Sequence, residues 1–182
     1  MKYFILTTIL TLIIINGCTK EKIKPVVNTA INLEEIPDQE SWNSTVFFTD
    51  SGNTRAILYS GHLRVFAKTN ETILDSNLKV DFFNNLGLHT TTLTAKRGRV
   101  DEKTDNLFAY DSVVAVNDSG IVITSDEMMW RNRDRKIISE KFVRIVSPKE
   151  KIEGYGFESD QNLRNYVIYN ITYLTEPDSL NK

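Results

Sequence analysis

The chain has 182 residues, a formal net charge of −2, 41% hydrophobic residues, one cysteine and two histidines. This composition fits one globular domain of ordinary core size. It excludes an internal disulfide framework and a cysteine-based zinc site. The nearly balanced charge also argues against a nucleic-acid-binding surface.

The amino terminus has the pattern of an export signal. Lys2 precedes an uncharged, mostly apolar run from Tyr3 to Ile15, which is shorter than the roughly 20 residues of a membrane-spanning helix. The segment Ile15-Asn16-Gly17-Cys18 resembles a bacterial lipobox, which implies cleavage before Cys18 and acylation of that residue. The alternative is an uncleaved membrane anchor with an incidental cysteine. Both readings predict an exported protein that is tethered to a membrane.

After a polar stretch from Thr19 to Gln39, the sequence predicts a succession of short strands. Apolar and polar residues alternate cleanly, for example from Leu78 to Phe82, as in a sheet with one buried face. Turn signals such as Asp50-Ser51-Gly52-Asn53 and Asn84-Asn85-Leu86-Gly87 recur every 8–15 residues, and no long stretch has helical periodicity. The chain is therefore predicted to be an all-β sandwich or roll.

The stretch from Asp105 to Asp160 contains two similar copies, aligned at an offset of 29 positions. In this alignment Val113-Val114-Ala115-Val116 falls on Phe142-Val143-Arg144-Ile145, and Ile123 falls on Ile152. Ala115 and Arg144 then mark a polar face. The opposite, covered face is predicted to carry Val114, Val116, Val143 and Ile145. A unit of about 30 residues that cannot bury its own face must stack on its neighbours.

No group of residues meets the requirements of a catalytic site. The stretch Gly154–Ser159 begins like a dinucleotide-binding loop, but it lacks the third glycine and no helix follows. The carboxylates lie mostly in predicted turns. The sequence therefore predicts a protein that is not an enzyme, with no cofactor and no metal site.

Four motifs, taken in their order, resemble the LptC family. The resemblance extends from about Thr45 to Ile171 and is shared with LptA and the amino-terminal part of LptD, but the membrane tether and the last motif favour LptC. The motifs are Asp50-Ser51-Gly52 followed by Ala56-x-Leu58, Leu93-Thr94-Ala95-x-x-Gly98-x-Val100-Asp101, Gly120-Ile121-x-Ile123-Thr124-Ser125-Asp126-x-Met128-x-Trp130, and Ile152-x-Gly154-x-Gly156-Phe157-Glu158-Ser159-Asp160.

The resemblance implies a single twisted β-jelly roll of the OstA/LptA-like type, open along one side, behind an N-terminal signal or anchor segment. It implies a periplasmic protein, anchored to the inner membrane as a lipoprotein, that accepts lipopolysaccharide from the inner-membrane ABC transporter and passes it to an LptA-like bridge protein. On this basis residues 1–17 are a lipoprotein-type signal peptide, residues 18–40 a tether, residues 41–176 the jelly-roll domain and residues 177–182 a carboxyl-terminal tail.

Two functional surfaces are expected from the resemblance and the alternation together. The last strand, from Tyr166 to Tyr173, is expected to be an open edge that binds a protein partner through Val167, Tyr169, Ile171 and Tyr173. The alternative function is an exported adaptor with a closed core, whose edge binds protein and which carries no lipid. The expected lining of the lipid groove is Leu78, Val80, Phe82, Leu93, Val114, Val116, Ile123, Val143, Ile145, Ile152 and Phe157.

Overall fold

In this computed structural model, residues 36–175 form an antiparallel β-structure of eleven strands, and this described part contains no helix. The predicted signal peptide, Cys18, most of the predicted tether and the predicted tail lie outside the described residues. The prediction of an all-β fold is confirmed. The strands are β1 (Gln39–Asp50), β2 (Asn53–Phe66), β3 (Glu71–Asp75), β4 (Leu78–Phe83), β5 (His89–Ala95), β6 (Arg97–Asp101), β7 (Asn106–Asn117), β8 (Val122–Arg131), β9 (Lys136–Val146), β10 (Lys151–Asp160) and β11 (Tyr166–Thr175).

Two long strands, β2 and β7, each pair with two shorter strands. The first part of β2 pairs with β4 and its last part with β3. The first part of β7 pairs with β6 and its last part with β5. In addition, β4 pairs with β5, and β3 pairs with β6. Two layers therefore connect β2 to β7, one formed by β4 and β5 and the other by β3 and β6. The sheet continues from β7 through β8, β9 and β10 to β11, and β1 pairs with β2, which gives the predicted jelly roll.

The hydrophobic core lies on the inward faces of these strands. On β4, Leu78, Val80 and Phe82 are at most 1% exposed, while Lys79 between them is exposed. The bulkiest fully buried side chain is that of Trp130 on β8. Complete burial of one large apolar side chain stabilises the fold by about 1.5–3 kcal/mol, so the alternation in the sequence is what drives this arrangement.

The two copies of the repeat align differently in the structure. Val113 pairs with Ser125, which pairs with Val143, so the strands β7 and β9 correspond at an offset of 30 positions. Ile123 and Ile152 both pair with Ile145, as the offset of 29 requires for β8 and β10. The difference arises in the hairpins: Val116 pairs with Val122 and Val146 pairs with Lys151, so the second hairpin is one residue shorter.

This one-residue difference reverses the predicted faces of β7. Ala115, predicted on the polar face, is fully buried, whereas Val116 is 39% exposed and Val114 is only half-buried. A register shift of one residue moves every side chain of a strand to the other face. The prediction that Val114 and Val116 point to the covered face is therefore wrong. Val143 and Ile145 of β9 are buried, as the sequence predicted.

The first strand begins earlier than the sequence indicated. The sequence predicted a tether as far as residue 40, but β1 starts at Gln39. Gln39 pairs with Val65, and Trp42 pairs with His62 and stacks on its ring with centroids 5.3 Å apart. The polar residues at the start of β1 are extended because they continue a ladder with β2, which local composition does not reveal.

Candidate functional site

Most residues predicted to line a lipid groove lie in the packed core. Nine of the eleven are at most 7% exposed, and the other two are Val114 and Val116. None of the eleven borders the pocket described below. The buried nine are Leu78, Val80, Phe82, Leu93, Ile123, Val143, Ile145, Ile152 and Phe157.

A partly open pocket of about 440 Å³ lies beside this core. Strands β1, β2, β3 and β6 form its walls. Its volume falls within the range of about 300–1,000 Å³ that is usual for small-ligand sites. Its walls can therefore receive part of an apolar chain. The apolar lining includes Val46, Phe48, Leu58, Leu63, Val65, Leu74 and Val100.

Phe48 connects the pocket wall to the core. Its ring meets the indole of Trp130 edge-on, with centroids 5.5 Å apart, and Trp130 also packs against Phe82 at 5.4 Å. Edge-to-face contacts of this kind add about 0.5–1.5 kcal/mol to the burial of the rings. The pocket wall on β1 is thus held against strands β4 and β8.

Three segments of the chain meet at Arg55, which places them at the rim of the pocket. Arg55, which lines the pocket, donates from Nη1 to Asn85 Oδ1 at 2.7 Å, and its Nη2 lies 3.7 Å from Asp50 Oδ2. Arg135 in the β8–β9 turn donates from Nη1 to the same Asn85 oxygen at 3.0 Å and from Nη2 to the same Asp50 oxygen. We name these four residues the rim cluster. It joins the end of β1, the β4–β5 loop and the β8–β9 turn.

Another part of the rim carries negative charge. Glu102 and Asp105, at the β6–β7 turn, border the pocket together with Asn132 of the β8–β9 turn. Glu102 Oε1 accepts a hydrogen bond from Thr72 Oγ1 at 2.6 Å. The positive charge of the rim therefore lies in the rim cluster, where two guanidinium groups share the Asp50 carboxylate, and the β6–β7 turn carries two further carboxylates.

β11 is an edge of the sheet, and within residues 36–175 it pairs only with β10. The four residues predicted to bind a partner are all exposed: Val167 by 55%, Tyr169 by 64%, Ile171 by 55% and Tyr173 by 46%. Apolar side chains beside an unpaired strand edge are unusual on a free surface, because such edges template further strand pairing. The geometry suits the docking of another strand.

The start of β11 is held by its inward-facing residues. Tyr166 packs against the core and donates a hydrogen bond to Glu150 Oε1 at 2.7 Å. Burial of the phenol, together with this hydrogen bond and the Glu150 charge, raises the pKa of Tyr166 to about 12. The neutral hydroxyl therefore remains a donor across the physiological range and fixes β11 to the loop before β10.

The family of the chain follows from its sequence together with this fold. Residues 6–173, nearly the whole chain, match the family described as Lipopolysaccharide-assembly, LptC-related. The chain belongs to the LptC family. No curated protein matches it significantly. Family membership assigns the chain to lipopolysaccharide transport, as a periplasmic component of the cell envelope, and confirms the resemblance found in the motifs.

Neither a membrane-crossing helix nor a metal centre is found in the described part of this LptC-family chain. Between residues 36 and 175 no helix is long and apolar enough to cross a membrane. In the same range no three His, Cys, Asp or Glu side chains are placed to hold a metal ion.

The pocket of this LptC-family protein was missed by sequence reasoning. Alternating apolar residues, such as Leu63 and Val65, indicated an inward face but not which part of the interior stays open. The contact between Asp50 and Arg135 in the rim cluster had no signal in the sequence, because these residues are 85 positions apart and both belong to ordinary polar turns. A shorter-range signal was available at Arg55, a charged residue directly before the apolar run Ala56-Ile57-Leu58.

Proposed function

We propose that this LptC-family protein is a membrane-tethered relay, which accepts lipopolysaccharide from the inner-membrane ABC transporter and passes it to an LptA-like bridge protein. The observation that carries the proposal is an apolar pocket in a continuous sheet whose last strand is an open, apolar edge. The relay needs no reaction of its own and no cofactor, because the transporter hydrolyses the ATP.

The pocket supplies a place for acyl chains during transfer. Each methylene removed from water contributes about 0.8 kcal/mol, so six methylenes contribute about 5 kcal/mol before the cost of ordering the chain. The nine core residues predicted as groove lining then act by supporting the pocket. In this proposal a lipid contacts these nine residues only where the layer of β4 and β5 separates from the layer of β3 and β6.

The edge strand β11 supplies the contact with the next protein. A strand added beside it would continue the sheet through backbone hydrogen bonds and would cover Val167, Tyr169, Ile171 and Tyr173. Continuity of the sheet would keep the lipid on one surface as it leaves. This supports a bridge protein as the partner of β11.

The anchor of the relay is proposed to be a lipid on Cys18. Several acyl chains would hold the protein firmly, whereas one chain binds a membrane only marginally. Radioactive palmitate labelling tests this directly: the full chain should incorporate label and the Cys18→Ser variant should not. Labelling of both would place the lipid at a position other than the Cys18 thiol, and labelling of neither with an uncleaved amino terminus would replace the lipid anchor by a peptide anchor.

A second candidate function is the adaptor that carries no lipid. It is favoured by the tight packing of the interior, where nine of the eleven predicted lining residues are at most 7% exposed. In that case β11 binds a protein and the pocket has no role.

Site-specific photo-crosslinking in living cells separates the two functions. Benzoylphenylalanine is placed at Val65, which lines the pocket, and at Ile73 as the matched control. Ile73 lies on β3 between Thr72 and Leu74, which line the pocket, but its own side chain points outward. A third probe replaces Tyr169 on the exposed edge.

The relay predicts lipopolysaccharide adducts at Val65 and not at Ile73, and protein adducts at Tyr169. Protein adducts at Tyr169 without any lipid adduct at Val65, in cells where the probe-bearing variant is functional, would establish the adaptor instead.

A further inference from the structure

We infer that Arg55 and Arg135 form a binding site for the phosphate group of an anionic amphiphile at the rim of the pocket, and that Asp50 occupies this site in the ligand-free protein. The inference rests on the proposed function, since it names the headgroup chemistry taken by that same pocket.

The geometry of the rim cluster is that of a two-arginine anion site. Both guanidinium groups contact one carboxylate oxygen of Asp50, Arg55 at 3.7 Å and Arg135 by a direct hydrogen bond. Both also donate to Asn85 Oδ1, which fixes their relative position. A phosphate presents oxygens that accept the same charge-assisted hydrogen bonds from a guanidinium fork. The Asp50 carboxylate thus stands in for a phosphate.

The guanidinium group of Arg55 can donate one more hydrogen bond. Arg55 is only 8% exposed, and its Nε is buried with no hydrogen-bond partner among the described residues. A buried donor without an acceptor is unfavourable, so a ligand oxygen that reaches Nε would be favoured. Asp50 does not supply one, and its side chain is 50% exposed, so solvent and ligand can reach it.

The apolar pocket beside the rim cluster favours an amphiphile over a free phosphate ion as the ligand. Arg55 borders the same pocket as the apolar side chains of Phe48 and Leu58. A ligand with its phosphate at the rim cluster can therefore place an acyl chain in the pocket. The carboxylates of Glu102 and Asp105 repel a phosphate from the β6–β7 turn, which favours one orientation of the ligand.

Binding measurements on the full chain in detergent test this site. The probes are lipid A with its phosphates, the same lipid A after enzymatic dephosphorylation, and inorganic phosphate alone. The variants are Arg135→Gln and Asp50→Asn, chosen because the Arg55 side chain is buried and its replacement could prevent folding. Arg144→Gln, an exposed arginine paired with Glu153 on the outer face, is the matched control.

Arg135→Gln should weaken binding of phosphorylated lipid A about tenfold and leave dephosphorylated lipid A unaffected. Asp50→Asn should tighten binding of phosphorylated lipid A several-fold, because the competing carboxylate is gone. Arg144→Gln should change neither. The two variants should change the affinity in opposite directions. If Asp50 and Arg135 only stabilised the rim, both variants would weaken the binding of lipid A.

Weaker binding in Asp50→Asn, or equal losses in Arg135→Gln and Arg144→Gln, would overturn the phosphate site. Equal affinity of the unmodified protein for both forms of lipid A would overturn it as well, and would leave the proposed relay intact. Tight binding of inorganic phosphate alone would contradict the preference for an amphiphile. Failure of the protein to bind either lipid A would count against the relay itself.

Discussion

Phe48 of β1 meets Trp130 of β8 edge-on, with ring centroids 5.5 Å apart, although the two strands are not paired. Within residues 36–175, β1 pairs only with β2, so this contact ties an edge strand to the far wall of the interior. The pocket therefore depends on an aromatic contact as well as on backbone pairing.

Phe48→Ala should lower the free energy of unfolding by about 2 kcal/mol. Full burial would give about 3–5 kcal/mol for such a truncation, and the ring of Phe48 is half-buried. The adjacent Phe47, which is 60% exposed, is the matched control and should lose about 0.5 kcal/mol or less on replacement by Ala. Urea denaturation of both variants measures the difference. Equal losses would show that the contact with Trp130 contributes nothing.

Two neighbouring residues of β7 should differ in how strongly a charge destabilises the fold. Ala115→Asp places a carboxylate at a fully buried position and should cost more than about 3 kcal/mol, or prevent folding. Val116→Asp, at a position 39% exposed, should cost about 1 kcal/mol or less. Thermal unfolding of the two variants gives the comparison. If Val116→Asp were the more destabilising of the two variants, β7 and β9 would instead correspond at an offset of 29 positions.

The fold class could be predicted because its signal is local. A strand with one buried face alternates apolar and polar residues whatever its partners are. Leu78, Val80 and Phe82 on β4 were assigned to one face and are buried together. The same holds for Val143 and Ile145 on β9.

The faces of β7 could not be predicted, because register depends on hairpin length and bulges. The hairpin between β9 and β10 is one residue shorter than the hairpin between β7 and β8, so the offset of 29 that aligns β8 with β10 misaligns β7 with β9 by one residue. A slip of one residue assigns every side chain of the strand to the other face. In the run Val113-Val114-Ala115-Val116 every residue is apolar, so composition could not reveal the error.

The site could be predicted only in part for a different reason. The last strand was expected to be an open edge that presents apolar side chains, and Val167, Tyr169, Ile171 and Tyr173 of β11 are exposed. The pocket and its rim depend on contacts between distant segments. Asp50 and Arg135 meet across 85 positions, and nothing near either residue distinguishes it from a solvated turn residue.

Asp81 should contribute to stability in a way that depends on pH. Burial of its carboxyl opposes ionisation, but hydrogen bonds from Lys79 and Thr92, each 2.7 Å long, together with nearby positive charge, lower its pKa below the ordinary value of 3.8. Because the pKa is lower in the folded state, the stabilisation is present above about pH 4 and is lost as the pH falls further.

The free energy of unfolding of the native chain should therefore decline below pH 4 more steeply than that of Asp81→Asn. Urea denaturation between pH 2.5 and pH 6 follows this decline. The exposed Asp126→Asn serves as control and should leave the slope unchanged. Identical acid profiles for the native chain and Asp81→Asn would show that this carboxyl is not stabilised by its partners.

Gly154 allows β11 to lie close to β10, and adding a methyl group there should separate the two strands. A Cβ atom at Gly154 would lie 2.4 Å from the carbonyl oxygen of Asn170 and 2.8 Å from Cγ2 of Ile168. Because the nearest obstacle is backbone, the clash is relieved only by displacement of β11. Gly154→Ala should destabilise the domain by about 2 kcal/mol and speed hydrogen exchange of the amides of β11.

Gly52→Ala is the matched control for this prediction. Its φ of +79° is unfavourable for alanine, at a cost of about 1 kcal/mol, but no atom lies within 4 Å of the added Cβ. It should leave exchange in β11 unchanged. If β11 is the docking edge, Gly154→Ala should also weaken partner binding more than Gly52→Ala does, since a displaced strand no longer continues the sheet. Unchanged protection of β11 in Gly154→Ala would show that the strand tolerates the methyl group and that close packing at this glycine is not what positions the edge.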